Sequence, residues 1–340
     1  MLKINTKEGE IINIKLSKYR VFILSIIFIT VIFSFINNHI LNAYMNKETF
    51  SKAFTNNTPG TREVIEKLCS DDYSDRLVGC KGNEKTAEYL SKIVSGINLE
   101  PVYGNRYFVP YTQWVYPKYN VIDDENCQYK SVNNVAAMIK GSDSTKAIVI
   151  GAHFDNIGSK AEDKKVIRGA LDNASGVAAV IKIADTIKSK SDKNILARDI
   201  IFVFFNGEET DFQGSRAFVN KIKGRYSNLY NINIDCVGGK NAGKITLHNS
   251  STQSEKLTEA MKRFFKYNRL PYSEVALRGG TSDNKSFENA GISNIYVSQD
   301  NIYKYIHNSD DNPENINFND IDKLAEVICD FIINNDKIDF

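Results

Sequence analysis

Residues 146–155 read KAIVIGAHFD, an apolar run that leads directly into a histidine and an aspartate. A short run of this kind, rich in β-branched residues, is typical of a strand buried on both faces of a sheet. If the backbone stays extended past Ile150, the side chains of His153 and Asp155 project to the same side. A His-x-Asp pair at a strand end is by itself more often a surface turn, so its meaning depends on the surrounding segments.

Similar strands occur on either side of this run. Residues 199–205, DIIFVFF, read as a second fully buried strand, and residues 134–139, 229–234 and 292–297 read as further strands. Apolar residues at helical spacing mark another set of segments: 61–69, 84–95, 175–188, 213–222, 254–265 and 320–333. This alternation predicts an α/β fold, with helices on both faces of a mixed, largely parallel central sheet.

The composition excludes some classes of protein. Of 340 residues, 42% are hydrophobic and 25% charged, which is ordinary for a globular chain of one large domain or two small ones. Lys and Arg number 43 against 41 for Asp and Glu, so the net charge is only +2. Since no basic run is interleaved with aromatics either, the sequence predicts no nucleic-acid partner.

The five cysteines form no C-x-x-C pair, which argues against a zinc ribbon or a thioredoxin-type motif. A bridge between Cys69 and Cys80 is one option in an oxidising compartment. Free buried thiols are the other, and the odd count in a long chain favours them.

An uncharged apolar segment near the N-terminus, residues 21–36, follows Lys15, Lys18 and Arg20. Extended to Leu41 it reaches about 21 residues, which as a helix would cover the ~30 Å of a hydrocarbon core. We therefore interpret residues 21–41 as an uncleaved transmembrane anchor. A cleaved signal peptide and a buried core helix are the alternatives, but no small-x-small cleavage site follows.

This interpretation divides the chain into four parts: a cytoplasmic tail (1–20), the anchor (21–41), a polar stalk (42–58) and a folded α/β domain (59–340). By the positive-inside rule, the basic flank of the anchor stays in the cytoplasm. The domain is then expected outside the cell, as part of a single-pass membrane protein. Cleavage of the segment as a signal would instead give a secreted protein.

Two acidic segments also stand beside predicted elements. Residues 206–210, NGEET, come directly after an apolar strand. Adjacent side chains there point in different directions, so one of Glu208 and Glu209 can bind a metal while the other acts as a general base; a solvated acidic turn is the alternative. Residues 169–176, GALDNASG, precede a helix, and their simplest interpretation is a helix cap.

Residues 233–235, NID, and the late His307 complete a set of five segments, which together resemble the di-zinc exopeptidases related to bacterial leucyl aminopeptidases, aminopeptidase Y and glutamate carboxypeptidase. The resemblance covers roughly residues 60–335 in consistent order, and it implies a zinc exopeptidase (phosphorylase/hydrolase-like) fold. It also implies a ligand set for two zinc ions, which cobalt or manganese can replace: His153, Asp172, Glu209, Asp235 and His307.

Within this set the resemblance implies that Asp172 bridges both ions, His153 and Asp235 bind one, and Glu209 and His307 bind the other. It further implies that Asp155 orients His153 and that Glu208 is the general base. The expected activity is hydrolysis of peptide substrates, most simply as an aminopeptidase.

Two positions depart from the family pattern. Asn284 replaces a histidine that family members often carry after Ser-Asp, and Ile306 replaces a tyrosine that some place before the last histidine. Both departures bear on the substrate pocket. The alternatives are a carboxypeptidase or a glutaminyl cyclase of the same fold, or a non-catalytic ectodomain. The complete ligand set argues against a single-zinc cyclase and against an ectodomain that has lost its site.

Overall fold

The structure, a computed structural model, describes residues 2–5, 11–14, 58–118, 126–158, 167–191, 196–248, 251–273 and 282–340. The chain divides into two units, residues 1–56 and 57–340. In the first unit, strands β1 (Leu2–Asn5) and β2 (Ile11–Ile14) pair in antiparallel fashion.

The predicted anchor, residues 21–41, lies outside the described residues. Among the helices that are described, none is both long and apolar enough to cross a membrane.

The second unit contains the remaining elements. Its helices are α1 (Thr61–Leu68), α2 (Lys81–Gly96), α3 (Ser175–Ser191), α4 (Gln213–Ile222), α5 (Glu255–Tyr267), α6 (Asn284–Asn289) and α7 (Phe318–Asn334). Its strands are β3 (Glu100–Pro101), β4 (Phe108–Val115), β5 (Gln128–Ile139), β6 (Asp143–His153), β7 (Arg198–Phe205), β8 (Asn228–Ile234), β9 (Ile245–His248) and β10 (Ser293–Gln299). Every helix and strand predicted from periodicity is present, with ends that shift by a few residues.

These strands form one eight-stranded mixed sheet in the order β3-β5-β7-β6-β8-β10-β9, with β4 also paired to β5. The four central strands, β7, β6, β8 and β10, are mutually parallel. The strands towards both edges run antiparallel to their neighbours. The prediction of a mixed sheet is confirmed, with parallel strands at the centre and antiparallel strands towards the edges. Strand β4 was not predicted, because Trp114 lies on its exposed face and Gln113 on its buried face, so apolar and polar residues do not alternate in its sequence.

The core lies on both faces of the sheet. In β7, Phe202 and Phe204 face the larger apolar cluster, while Val203 and Phe205 face a second cluster on the other side. Helices α1, α2, α3, α5 and α7 cover the first face, and α4 and α6 cover the second. From Ile200 to Phe205, β7 is buried on both sides and entirely apolar, and each fully buried Phe or Ile side chain stabilises the fold by ~1.5–3 kcal/mol.

All five cysteines are free thiols. Cys69 is buried against the Arg168 carbonyl, and burial raises the pKa of its thiol to about 12. Such a thiol is unreactive near neutral pH.

Candidate metal centre

The polar segments singled out in the sequence meet at one edge of the sheet. Strands β6, β7 and β8 are parallel neighbours, and His153 at the end of β6 lies opposite Phe205 at the end of β7. Glu208 and Glu209 follow β7, and Asp235 follows β8. The carboxyl ends of parallel strands are where α/β folds build their sites.

The first metal group consists of His153, Asp172 and Asp235. The Nε2 atom of His153 lies 3.2 Å from Oδ1 of Asp172 and 3.3 Å from Oδ1 of Asp235. All three residues are buried.

The second metal group consists of Asp172, Glu209 and His307. Here the Nε2 atom of His307 lies 3.1 Å from Oδ2 of Asp172 and 3.4 Å from Oε2 of Glu209. Asp172 therefore turns one carboxylate oxygen to each group. The side chain of His307 is 39% exposed, so the second metal group is the more open of the two.

These donor atoms fit divalent cations. His153 Nε2, Asp235 Oδ1 and Glu209 Oε1 are buried and have no hydrogen-bond partner among the described residues, an arrangement that is costly unless a cation binds there. Nitrogen and oxygen ligands 2.0–2.2 Å from a tetrahedral zinc ion would be about 3.3–3.6 Å apart. The separations of 3.1–3.4 Å across the two groups are close to that range. Zinc accepts such a mixed imidazole and carboxylate set.

A short kinked turn, Ala170–Ala174, carries Asp172 into the site just before α3, and the backbone at Asp172 (φ −113°, ψ 89°) is not helical. The peptide bond between Asp172 and Asn173 is cis. The capping predicted for this segment is performed by Asn173, whose Oδ1 accepts the N–H of Gly176 in the first turn of α3. Asp172 thus remains available to both metal groups.

Asp155 supports two ligand-bearing segments at once. Its carboxylate lies 3.6 Å from Nδ1 of His153, which is closer, at 3.2 Å, to the main-chain oxygen of the same aspartate. The two carboxylate oxygens accept the N–H groups of Glu208 and Glu209, each at 3.2 Å. Asp155 therefore fixes the acidic pair that follows β7 as well as facing the His153 ring.

The electrostatics of the acidic pair differ from those of free carboxylates. Burial, reinforced by the carboxylates of Glu209 and Asp235, raises the pKa of Glu208 well above its usual value, although His153 opposes the shift. Burial and the nearby Asp172 raise the pKa of Glu209 to about 7. A raised pKa makes the Glu208 carboxylate a stronger proton acceptor, as a general base requires.

The two histidines respond to the same charges. Hydrogen bonding to Asp172 and Glu209 raises the pKa of His307 to about 10. Burial disfavours a charged His153, but Asp235 and Glu208 outweigh it and raise its pKa well above the ordinary value. The carboxylates therefore favour a cation at the Nε2 atoms of both imidazoles, which is either a proton or a metal ion.

One supporting residue was missed in the sequence. Asp311 is buried, and its carboxylate accepts the N–H groups of Leu171 at 2.5 Å and of Asp172 at 3.2 Å. It thereby ties the His307 loop to the segment of the shared carboxylate. The sequence shows only that Asp311 belongs to the polar run His307–Asp311, and this does not distinguish it from the neighbouring Asp310.

Neither of the two residues that depart from the family pattern belongs to a metal group. Asn284 is buried, donates from Nδ2 to Asn294 Oδ1 at 3.3 Å, and accepts the Ser282 N–H at 3.1 Å. It begins α6 and belongs to neither metal group. Beside Ile306, the Tyr305 hydroxyl donates to the main-chain oxygen of Lys240 at 2.5 Å.

Comparison with known proteins finds relatives in sequence and structures of the same fold. A probable leucine aminopeptidase from Arthroderma otae is 31% identical over 216 residues, which cover 60% of this chain and 57% of that protein. A glutaminyl cyclase from Fimbriiglobus ruber superposes with a TM-score of 0.64 at 20% identity, over 82% of this chain and 95% of that one. BSAP, a zinc aminopeptidase from Bacillus subtilis, superposes with a TM-score of 0.52 at 19% identity, over 61% and 52%.

The profile of peptidase family M28 matches residues 134–332, which is more than half of the chain. That range contains every member of the two metal groups. This protein belongs to peptidase family M28.

Proposed function

We propose that this protein is a zinc-dependent aminopeptidase in which the first and second metal groups each hold one zinc ion. The observation that carries the proposal is the position of Asp172, whose Oδ1 faces His153 and whose Oδ2 faces His307. A carboxylate that offers one oxygen to each of two ligand groups suits a pair of cations.

Bound zinc ions would lower the pKa of a nearby water and polarise the carbonyl of the scissile bond. The protein's own residues supply the proton transfers. Glu208 lies beside the metal groups but is a member of neither, so its carboxylate is free to accept a proton from the attacking water and pass it to the leaving amine. Asp155 holds the main chain of Glu208 in place through the N–H that it accepts.

Two features favour an aminopeptidase over a carboxypeptidase. A carboxylate that binds no ion in the proposed site, that of Glu208, would attract a protonated amino terminus and repel a terminal carboxylate. Among the described residues, Arg76 is an arginine whose charge acts on Asp155 and Asp172, but it is fully buried and bonded to main-chain carbonyls. It cannot therefore reach the carboxyl end of a substrate. The likeness to a leucine aminopeptidase supports the same choice.

A glutaminyl cyclase is the second candidate, because the likeness to the F. ruber enzyme covers 95% of that chain. It predicts ring closure of N-terminal glutamine with release of ammonia and no cleavage of the peptide bond. The shared Asp172 favours hydrolysis with two ions over a single-zinc cyclase.

The test is hydrolysis of matched peptides by the full chain, with and without zinc. The panel contains peptides with free ends, the same sequences blocked at the amino or carboxyl end, and one that begins with glutamine. We expect zinc-dependent cleavage only where the amino terminus is free. Cleavage that requires a free carboxyl end would indicate a carboxypeptidase, and ring closure alone a cyclase. Two bound zinc equivalents with no turnover would point to a binding domain.

We also propose that residues 21–41 anchor the protein in a membrane with the peptidase domain outside the cell. The basic residues before the segment and the uncharged run within it support this topology. Carbonate extraction and protease treatment of intact cells provide the test. A peptidase domain that is protected in intact cells would refute the topology, and a shortened form in the medium would indicate signal cleavage.

A further inference from the structure

Arg76 lies between α1 and α2, and its side chain is fully buried. Its side chain donates hydrogen bonds to four main-chain carbonyls. Nε donates to Phe154 at 2.8 Å, Nη2 to Gly169 at 2.8 Å, and Nη1 to Leu68 at 2.7 Å and Arg168 at 2.9 Å. One guanidinium thus joins three segments of chain that are distant in sequence.

Two of these segments carry residues of the first metal group. Phe154 directly follows His153, and Gly169 precedes Asp172 by three residues. Since the guanidinium is planar and rigid, its bonds to both carbonyls restrict the separation of the two segments. The His153 and Asp172 side chains, 3.2 Å apart, extend from the backbone that is fixed in this way.

The main chain of Arg76 extends the same connection towards β7. Its carbonyl accepts Nδ2 of Asn83 at 2.8 Å. Asn83 and Asn206 then exchange side-chain amide hydrogen bonds of 2.8 and 3.0 Å. Asn206 directly follows β7 and lies two residues before Glu208, the first residue of the acidic pair.

Nearby negative charges explain why the positively charged side chain of Arg76 can be buried here. The carboxylates of Asp311, Asp155 and Asp172 all act on Arg76, and a buried charge is tolerated only when it is compensated and fully hydrogen-bonded. Because the donors are directed at carbonyls, the guanidinium does not occupy the carboxylate oxygens of the metal groups.

We propose that Arg76 is a positioning residue for the metal centre, which holds the His153 and Asp172 segments at the separation that the first metal group needs to bind zinc. This inference rests on the proposed function, in which both groups bind zinc. Arg76 touches neither the substrate nor the reacting atoms. Its effect passes through the carbonyls of Phe154 and Gly169.

The test measures zinc affinity and not turnover. Full-length wild type, Arg76→Gln and Arg76→Lys are stripped of metal and titrated with zinc in competition with a chromophoric chelator. Replacing an outer-shell partner of a metal site typically lowers affinity about 10–100-fold, and we expect a loss of that size for Arg76→Gln. Lysine keeps the charge but concentrates its donors on one nitrogen, so Arg76→Lys should also bind zinc more weakly than wild type.

Arg198 provides a matched control. It is also fully buried and also donates to main-chain carbonyls, those of Asp336 and Ile338, but it lies at the start of β7 and the metal groups lie beyond the end of that strand. Arg198→Gln should lower the free energy of unfolding, measured by urea denaturation without metal, while zinc affinity stays at the wild-type value.

The possible results test the positioning role of Arg76 separately from the proposed binding of zinc by the protein. Wild-type zinc affinity in Arg76→Gln would overturn the positioning role, and if that variant does not fold, wild-type affinity in Arg76→Lys would do so. An equal loss of affinity in Arg198→Gln would reduce the effect to general destabilisation and overturn the inference as well. A wild-type chain that binds no zinc would overturn the proposed function and the inference together.

Discussion

Asp172 is the residue whose replacement best tests the two-ion site, because both metal groups share it. Asp172→Ala removes a ligand from both groups. Asp235→Ala and Glu209→Ala each remove a ligand from only one. We therefore expect the first variant to lose both zinc ions and each of the other two to keep one.

The magnitude follows from linkage between binding and folding. At free zinc 100-fold above the dissociation constant, one bound ion stabilises the folded state by ~2.7 kcal/mol, and two independent ions by about 5.4 kcal/mol. Zinc should thus stabilise wild type by about 5.4 kcal/mol, Asp235→Ala by about 2.7 kcal/mol and Asp172→Ala by almost nothing. At about 2–4 °C per kcal/mol, each ion corresponds to a rise in Tm of about 5–10 °C.

The assay pairs metal analysis of the dialysed proteins with thermal unfolding in chelator and in buffered zinc. Asp199→Ala is the control, since Asp199 is a buried carboxylate that accepts hydrogen bonds from Gly141, Ser144 and Tyr226 at the start of β7. It should lower Tm while keeping both ions and the full zinc-dependent rise. If Asp172→Ala retained one zinc with wild-type affinity, the reasoning from a shared carboxylate would be refuted.

Three further predictions concern the proposed catalytic base and the supports of the site. Glu208→Gln should lower kcat by about 10²–10⁴-fold with zinc content unchanged, and wild-type turnover would exclude it as the base. Gly207→Ala should lower both activity and Tm, because the φ angle of Gly207 is +78° and the added Cβ would lie 2.5 Å from Oε1 of Gln113. An unaltered melting curve would contradict this expectation. Asp311→Ala should lower the free energy of unfolding by about 2–6 kcal/mol, since it leaves two buried N–H groups without an acceptor at ~1–3 kcal/mol each. If urea denaturation gave the wild-type free energy of unfolding, water would have replaced the carboxylate.

The sequence was informative about the elements of this fold because burial leaves a local pattern. Strand β7 had to be apolar from Ile200 to Phe205, since those side chains face a core on both sides, and α3 and α7 had to repeat apolar residues at helical spacing. Strand β4 was missed because its exposed face carries Trp114 and its buried face carries Gln113, so apolar and polar residues do not alternate in its sequence. The sequence predicted a mixed sheet but not which strands are antiparallel, because strand direction depends on connections that periodicity does not record.

The residues expected at the metal centre were identifiable for a related reason. His153, Asp172, Glu209 and Asp235 stand at or just beyond the end of a buried strand or next to a helix start, so their chemistry coincided with a boundary that the sequence marks. His307 lies in the long connection between β10 and α7, and it was identified through the family resemblance. The structure brings His153, Asp172, Glu209, Asp235 and His307 together in two groups. Local reasoning assigned capping to the Asp172 segment as well, and in the structure its neighbour Asn173 performs it.

The sequence by itself determined the α/β class, the strand ends that carry the site and the chemical types of the candidate ligands, because each depends on residues close together in the chain. Only the tertiary structure decided that Asp172 faces both histidines, that Asn284 turns to Asn294, and that Arg76 is buried. The physical reason is that these contacts join segments brought together by the packing of helices on the sheet. The local sequence around Arg76 does not distinguish a buried arginine that donates to the carbonyls of Phe154 and Gly169 from an arginine on the surface.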